Sequence, residues 1–196
     1  MEIRSRVIEN FSESIRVTTQ AMEAVADAVA SAAQAIVQAI INDSKILVCG
    51  NGGSASDATH FSSEMLNRFV QERPPLAAVA LTTDTSTITS IANDYDYHQV
   101  FAKQVTGLGR PGDVLLVIST SGNSENILRA VAAAHDREML CIALSGRDGG
   151  LLANALAERD IEIRVPPAST ARTQEVHGII IHCLCDAIDN HLLGNP

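Results

Sequence analysis

The stretch Lys45–Asn67, KILVCGNGGSASDATHFSSEMLN, decides the fold. Lys45-Ile46-Leu47-Val48-Cys49 is an apolar run of strand length. It breaks into Gly50-Asn51-Gly52-Gly53-Ser54, and a helix-compatible segment follows from about Ser56. An apolar strand, a glycine loop and a helix in that order form half of a βαβ unit. Such a loop offers backbone N–H groups and a positive helix end to an anion. The following helix carries His60 and Glu64 four residues apart, hence on one face.

Downstream the same rhythm repeats. Strands are expected at 77–81, 114–118, 139–144 and 161–165. Helices are expected at 55–70, 84–92, 97–107, 124–137, near 150–157 and at 173–193, with Asp84 or Thr85 as a cap. Each strand is almost wholly apolar, which requires cover on both faces. The fold class is therefore α/β, a doubly wound, three-layer parallel sheet of five strands. Residues 1–196 read as one domain, with an α/β core over 45–193. Upstream, 1–42 is free of glycine and proline. It reads as two helices, about 3–28 and 31–42, with a break near Asp27–Ser31. Ile3, Val7, Ile8, Phe11, Ile15, Met22 and Val25 recur at helical intervals outside the βα rhythm, so this part is expected to pack on a partner subunit.

Composition excludes several classes. The formal charge is −9, the wrong sign for a nucleic-acid ligand. An anionic substrate must then be held by local dipoles. The first 20 residues contain no signal-peptide h-region, and no uninterrupted apolar run reaches membrane-spanning length, so no membrane association is expected. Cys49, Cys141, Cys183 and Cys185 have no zinc-finger spacing. They read as free thiols in a reducing compartment, the cytoplasm.

The first loop is neither a P-loop nor a dinucleotide fingerprint, because no Gly-Lys-Ser/Thr follows and Gly53 directly adjoins Gly52. Ser119-Thr120-Ser121-Gly122-Asn123-Ser124 is a better phosphate cradle. It stands at a strand's carboxyl end and opens a helix, with four hydroxyls and no basic residue. An N-cap alone would need one hydroxyl. His60 and Glu64 taken alone fit a surface pair as well as a site. On the closing helix Gln174 and His182 are eight apart, about 80° around the axis. His182 lies in an apolar run where a satisfied core histidine is the plain alternative, and His177 points elsewhere.

CGNGGSASDATHFSSEMLNRF, SIANDY, GDVLLVISTSGNS, ALSGRDGG, IEIRVP and QEVHGIIIHCLCDAID together resemble the phosphoheptose isomerases of the sugar isomerase (SIS) family. The likeness runs from about Lys45 to Asp189, and the N-terminal helices fit it. It implies aldose–ketose isomerisation of sedoheptulose 7-phosphate to D-glycero-D-manno-heptose 7-phosphate, a step toward the lipopolysaccharide core of Gram-negative bacteria. It implies sugar contacts at Asn51, Gly52, Gly53, Asn93 and Asp94. Phosphate contacts are implied at Ser119, Thr120, Ser121 and Ser124, and substrate contacts also at Glu64 and Gln174. One zinc ion per subunit on His60, Glu64, Gln174 and His182 is implied, with Glu64 and His182 as the acid–base pair. A homotetramer with active sites at subunit contacts is implied as well. Some members carry an acid immediately before the arginine of the closing helix; here Ala171 precedes Arg172.

Two other readings stand beside the enzyme. The DnaA initiator-associating protein resembles the isomerase but lacks its glutamate and distal histidine, both present here as Glu64 and His182. A sugar-phosphate sensor would keep the fold without the chemistry.

Overall fold

A computed structural model describes residues 2–194. The chain begins with one continuous helix, α1 (Ile3–Ile41), where the sequence suggests a break near Asp27–Ser31. The break is absent because nothing there opposes the helix. The Ser31 hydroxyl donates to the Asp27 carbonyl at 2.9 Å and so stays within the helical ladder. Then follow β1 (Ile46–Gly50), α2 (Gly53–Leu66), β2 (Ala78–Ala80), α3 (Thr85–Asp94), a 3-10 turn (Tyr97–Gln99), α4 (Val100–Leu108), β3 (Val114–Ser119), α5 (Glu125–Asp136), β4 (Leu140–Ser145), α6 (Gly150–Ala155), β5 (Ile161–Arg164) and α7 (Thr170–Leu193). Asp84 caps α3, accepting from Thr87 N at 3.0 Å.

The five strands form one parallel sheet in the order β2-β1-β3-β4-β5. Side chains alternate across it. Ile46, Val48, Val114, Leu116 and Ile118 face a core shared with α1, α2 and α7. Leu47, Cys49, Leu115 and Val117 face the core under α4, α5 and α6. The strands are apolar on both faces because both faces are covered.

α1 contains a window apolar enough, by length and composition, to cross a membrane, with mean hydropathy 1.6. Part of that apolarity is internal: Val17, Ala21, Val25, Ala32 and Ile36 are buried in the core that contains α7. The amino-terminal half differs. Ile3, Val7, Ile8, Phe11, Ile15 and Met22 are all exposed.

The strand order reverses between β1 and β3, the crevice in which open α/β sheets bind ligands. Gly50 is paired with Ile118 there. The loops that leave β1 and β3 therefore emerge side by side, and they are the two that the sequence singles out.

Candidate active site

The loop after β1 is set by glycine. Gly52 has φ 57° and ψ −121°, which an L side chain resists, and this turns the chain directly into α2. Asn51 is locked beside it. Its Nδ2 donates to Asn126 Oδ1 at 2.9 Å, and Asn126 Nδ2 returns a bond to Asn51 Oδ1 at 2.9 Å. The Tyr97 hydroxyl donates to the same Oδ1 at 3.2 Å. Both lone pairs of Oδ1 are thus used, and one N–H of Nδ2 is left for a ligand.

The loop after β3 folds on its own hydroxyls. Ser119 Oγ accepts from Gly122 N at 3.2 Å, and Ser121 Oγ accepts from Asn123 N at 3.3 Å. Gly122 has φ +65°, and a Cβ on it would run into the Gly149 carbonyl. Ser124 precedes α5 but makes no side-chain cap bond, so its hydroxyl is uncommitted. The first N–H groups of α5 have no intrahelical acceptor. Donors and a positive helix end converge here, as an anion requires.

α2 and α7 bring the titratable groups together. His60 Nε2 lies 3.3 Å from Glu64 Oε1 on the same helix. His182 Nε2 comes across from α7 to 3.3 Å from His60 Nε2. The two rings meet edge to face with centroids 5.0 Å apart, and Phe69 leans on His182 at 5.6 Å. Two donor atoms on one tetrahedral zinc, each ~2.0–2.1 Å from it, would stand roughly 3.3 Å apart. The His60–Glu64 and His60–His182 spacings each match that separation, and the donors are of the nitrogen–oxygen type such an ion takes. Gln174 is placed differently: its amide lies against Gly53 at the start of α2. It therefore faces the loop, about 12 Å of helix rise from His182.

His182 is exposed, so it is not the satisfied core histidine. The core histidine is His177, which is fully buried with Nε2 bonded to the Ser145 carbonyl at 3.0 Å and Nδ1 left without a partner. Burial holds its imidazole below the usual histidine range, against the smaller opposing pull of that hydrogen bond. Asn93 and Asp94 close α3 on the surface, joined by a side-chain bond of 2.9 Å.

Sequence reasoning missed Asn126, Tyr97 and Asp57. Asp57 lies one turn before His60 with a buried Oδ2 that has no partner. Burial pushes its carboxyl up, while His60 pulls the other way. A neighbour three residues from a flagged histidine was a usable signal; Asn126 and Tyr97 gave none.

A second group with ligand-like spacing lies at the amino ends of β4 and β5, where ligand atoms of His135, Cys141 and Asp160 fall within 4.8 Å. It could hold a metal ion only at the expense of existing bonds. Asp160 accepts from His135 Nε2 at 2.6 Å and from the Cys141 and Ala157 amides at 2.9 and 2.8 Å. Burial also pushes the Cys141 thiol far up.

The chain matches the SIS domain family over residues 10–146. It is 61% identical to a phosphoheptose isomerase of Alkalilimnicola ehrlichii over 99% of both chains. Among solved structures, a phosphoheptose isomerase from Francisella tularensis superposes with a TM-score of 0.95 at 50% identity, covering 97% of this chain and all of that one. Another from Neisseria gonorrhoeae gives 0.92 at 51%, covering 96% and 100%.

Proposed function

This chain belongs to the SIS domain family and to its phosphoheptose isomerases, and from that premise we propose how its site works. The protein is an aldose–ketose isomerase that converts sedoheptulose 7-phosphate to D-glycero-D-manno-heptose 7-phosphate. The observation that carries the reading is the meeting of His60, Glu64 and His182 on α2 and α7, the two helices whose Gly53 and Gln174 ends meet at the loop after β1, at the strand-order reversal.

The substrate lies across the two loops. Ser119, Thr120, Ser121 and Ser124 hold the 7-phosphate with neutral donors and the α5 end, as the absence of basic residues in that loop requires. Asn51 donates its remaining N–H to the sugar, beside the main chain of Gly52 and Gly53. Asn93 and Asp94 bind sugar hydroxyls, and Gln174 does so from above Gly53. Glu64 turns Oε1 to His60 and keeps Oε2 for the C1 proton, which it delivers to C2 of the cis-enediol. His182 moves the hydroxyl proton between O1 and O2.

His60, Glu64 and His182 would hold one zinc ion; Gln174, the fourth ligand that the resemblance implies, stands at Gly53, about 12 Å of helix rise from His182, and serves the sugar instead. When bound, such an ion supplies positive charge that stabilises an enediolate. A metal-bearing His182 Nε2 has no proton to give, so the loaded and metal-free proteins use this residue differently. Metal content measured beside turnover, before and after chelation, separates the two.

The exposed apolar face of α1 supports assembly, and the proposed assembly is a homotetramer. Free thiols suit the cytoplasm: burial lifts Cys185 to about 12, Cys49 further still, and Cys183 upward too. The product would supply heptose to the lipopolysaccharide core. Glu64 and His182 also set the chain apart from the DnaA initiator-associating protein, whose resemblance lacks both. The test is turnover of sedoheptulose 7-phosphate by the wild type and by Glu64→Gln and His182→Gln. Near wild-type rates in both variants would remove these residues from the chemistry.

A further inference from the structure

Arg73 lies in the irregular segment between α2 and β2, yet its side chain is only 1% exposed. Its fork is almost fully used. Nε donates to Asp189 Oδ1 at 2.6 Å. Nη1 donates to the Met65 carbonyl at 2.8 Å and the Pro74 carbonyl at 3.3 Å. Nη2 donates to the Glu64 carbonyl at 2.9 Å. The last carbonyls of a helix have no intrahelical donor, so Arg73 closes the end of α2 at the very residue that carries the carboxylate.

The other end of the contact is equally placed. Asp189 is seven residues beyond His182 on α7. Seven residues are nearly two full turns, so Asp189 and His182 lie on one stripe of that helix. One guanidinium thus joins the α2 turn bearing Glu64 to the α7 stripe bearing His182. Both charges are buried, and Asp189 Oδ2 has no partner. Buried ion pairs contribute little net stability compared with well-packed apolar residues. What this pair supplies and an apolar pair would not is a fixed register between the two helices.

We propose that Arg73, through Asp189, is a positioning residue that sets the reach of Glu64 toward His60 and His182. The proposal rests on the isomerase reading above. A planar fork holds several carbonyls at once, and a lysine ammonium does not reproduce that geometry. Small displacements of a reacting carboxylate cost turnover steeply. The phosphate loop is carried by β3 and α5, away from this contact, so substrate affinity is spared.

The experiment compares the wild type, Arg73→Lys, and the double variant Arg73→Met with Asp189→Leu, each as the full chain. Thermal melting, kcat and KM for sedoheptulose 7-phosphate are read for all three. The expected result is a double variant that melts within a few degrees of wild type, with KM within about twofold and kcat reduced by about ten- to a hundredfold. Arg73→Lys should show the same split. Zinc retention against a competing chelator should weaken by a similar factor in both, a readout independent of turnover. A stable double variant with wild-type kcat would overturn the proposal. So would one that fails to fold, since the pair would then serve the fold itself, and so would a loss confined to KM. A wild type without turnover fails the isomerase reading instead, and leaves nothing for Arg73 to position.

Discussion

Replacing Gly53 by alanine should separate stability from activity. Gly53 opens α2, and a Cβ there would press on the Gln174 amide, with Cδ at 2.9 Å and Nε2 nearer still. The obstruction is the far end of a flexible side chain, so the backbone has no reason to move. Alanine within a helix gains up to ~1 kcal/mol over glycine. For a chain of this size that is a rise of roughly 2–4 °C at most. Ordinary contact begins near 3.4 Å, so the Gln174 amide must retreat by about 0.5–1 Å, a misplacement that can cost up to a hundredfold in rate. Turnover of sedoheptulose 7-phosphate and a melting curve, taken on one preparation, give both readings. Melting should stay level or rise, and kcat/KM should fall by about ten- to a hundredfold. Undiminished kcat/KM would show that Gln174 does not serve the site from this position. A melting point lowered by several degrees would show that the collision is not relieved by the side chain.

Three further outcomes follow from the same geometry. Gly122→Ala forces a Cβ into the Gly149 carbonyl at positive φ, costing about 3 kcal/mol from left-handed strain plus overpacking, so melting should fall by roughly 6–12 °C. Glu64→Gln and His182→Gln should each lower kcat by ~10²–10⁴ while the melting point stays put, since neither side chain is in the core. His177 makes stability depend on pH. Its folded state resists protonation, so between its lowered pKa and the unfolded value near 6.5 the unfolded chain binds the extra proton. Stability is therefore full above about 6.5 and is lost as pH falls below it. Melting curves across that range should slope less in His177→Gln than in the wild type.

The fold was legible because each strand is a short apolar run closed by polar punctuation. The order β2-β1-β3-β4-β5 was not, since a parallel sheet leaves no trace of neighbour choice in period-two patterning. The single long α1 was misread as two helices because Asp27 and Ser31 look like breakers, yet the Ser31 hydroxyl can bond back into the ladder. At the site, His60 and Glu64 are local and could be paired from spacing alone. His182 needed the tertiary crossing of α2 and α7 to join them. Arg73, Asn126 and Tyr97 act through contacts distant in sequence, which no local pattern announces. Gln174 is in between: its helix face was readable, but not that its amide would rest on Gly53.

The central claim is that Glu64 and His182, facing each other through His60, move a proton on a phosphorylated seven-carbon ketose. The most direct measurement follows purified protein with sedoheptulose 7-phosphate in deuterated water, detecting heptose 7-phosphate and the isotope at C2. The wild type should form product that carries deuterium at C2 to the extent that the Glu64 proton exchanges, and Glu64→Gln should form neither. Sugar-phosphate binding that raises the melting point without forming any heptose 7-phosphate would contradict it and leave a sensor in place of an isomerase.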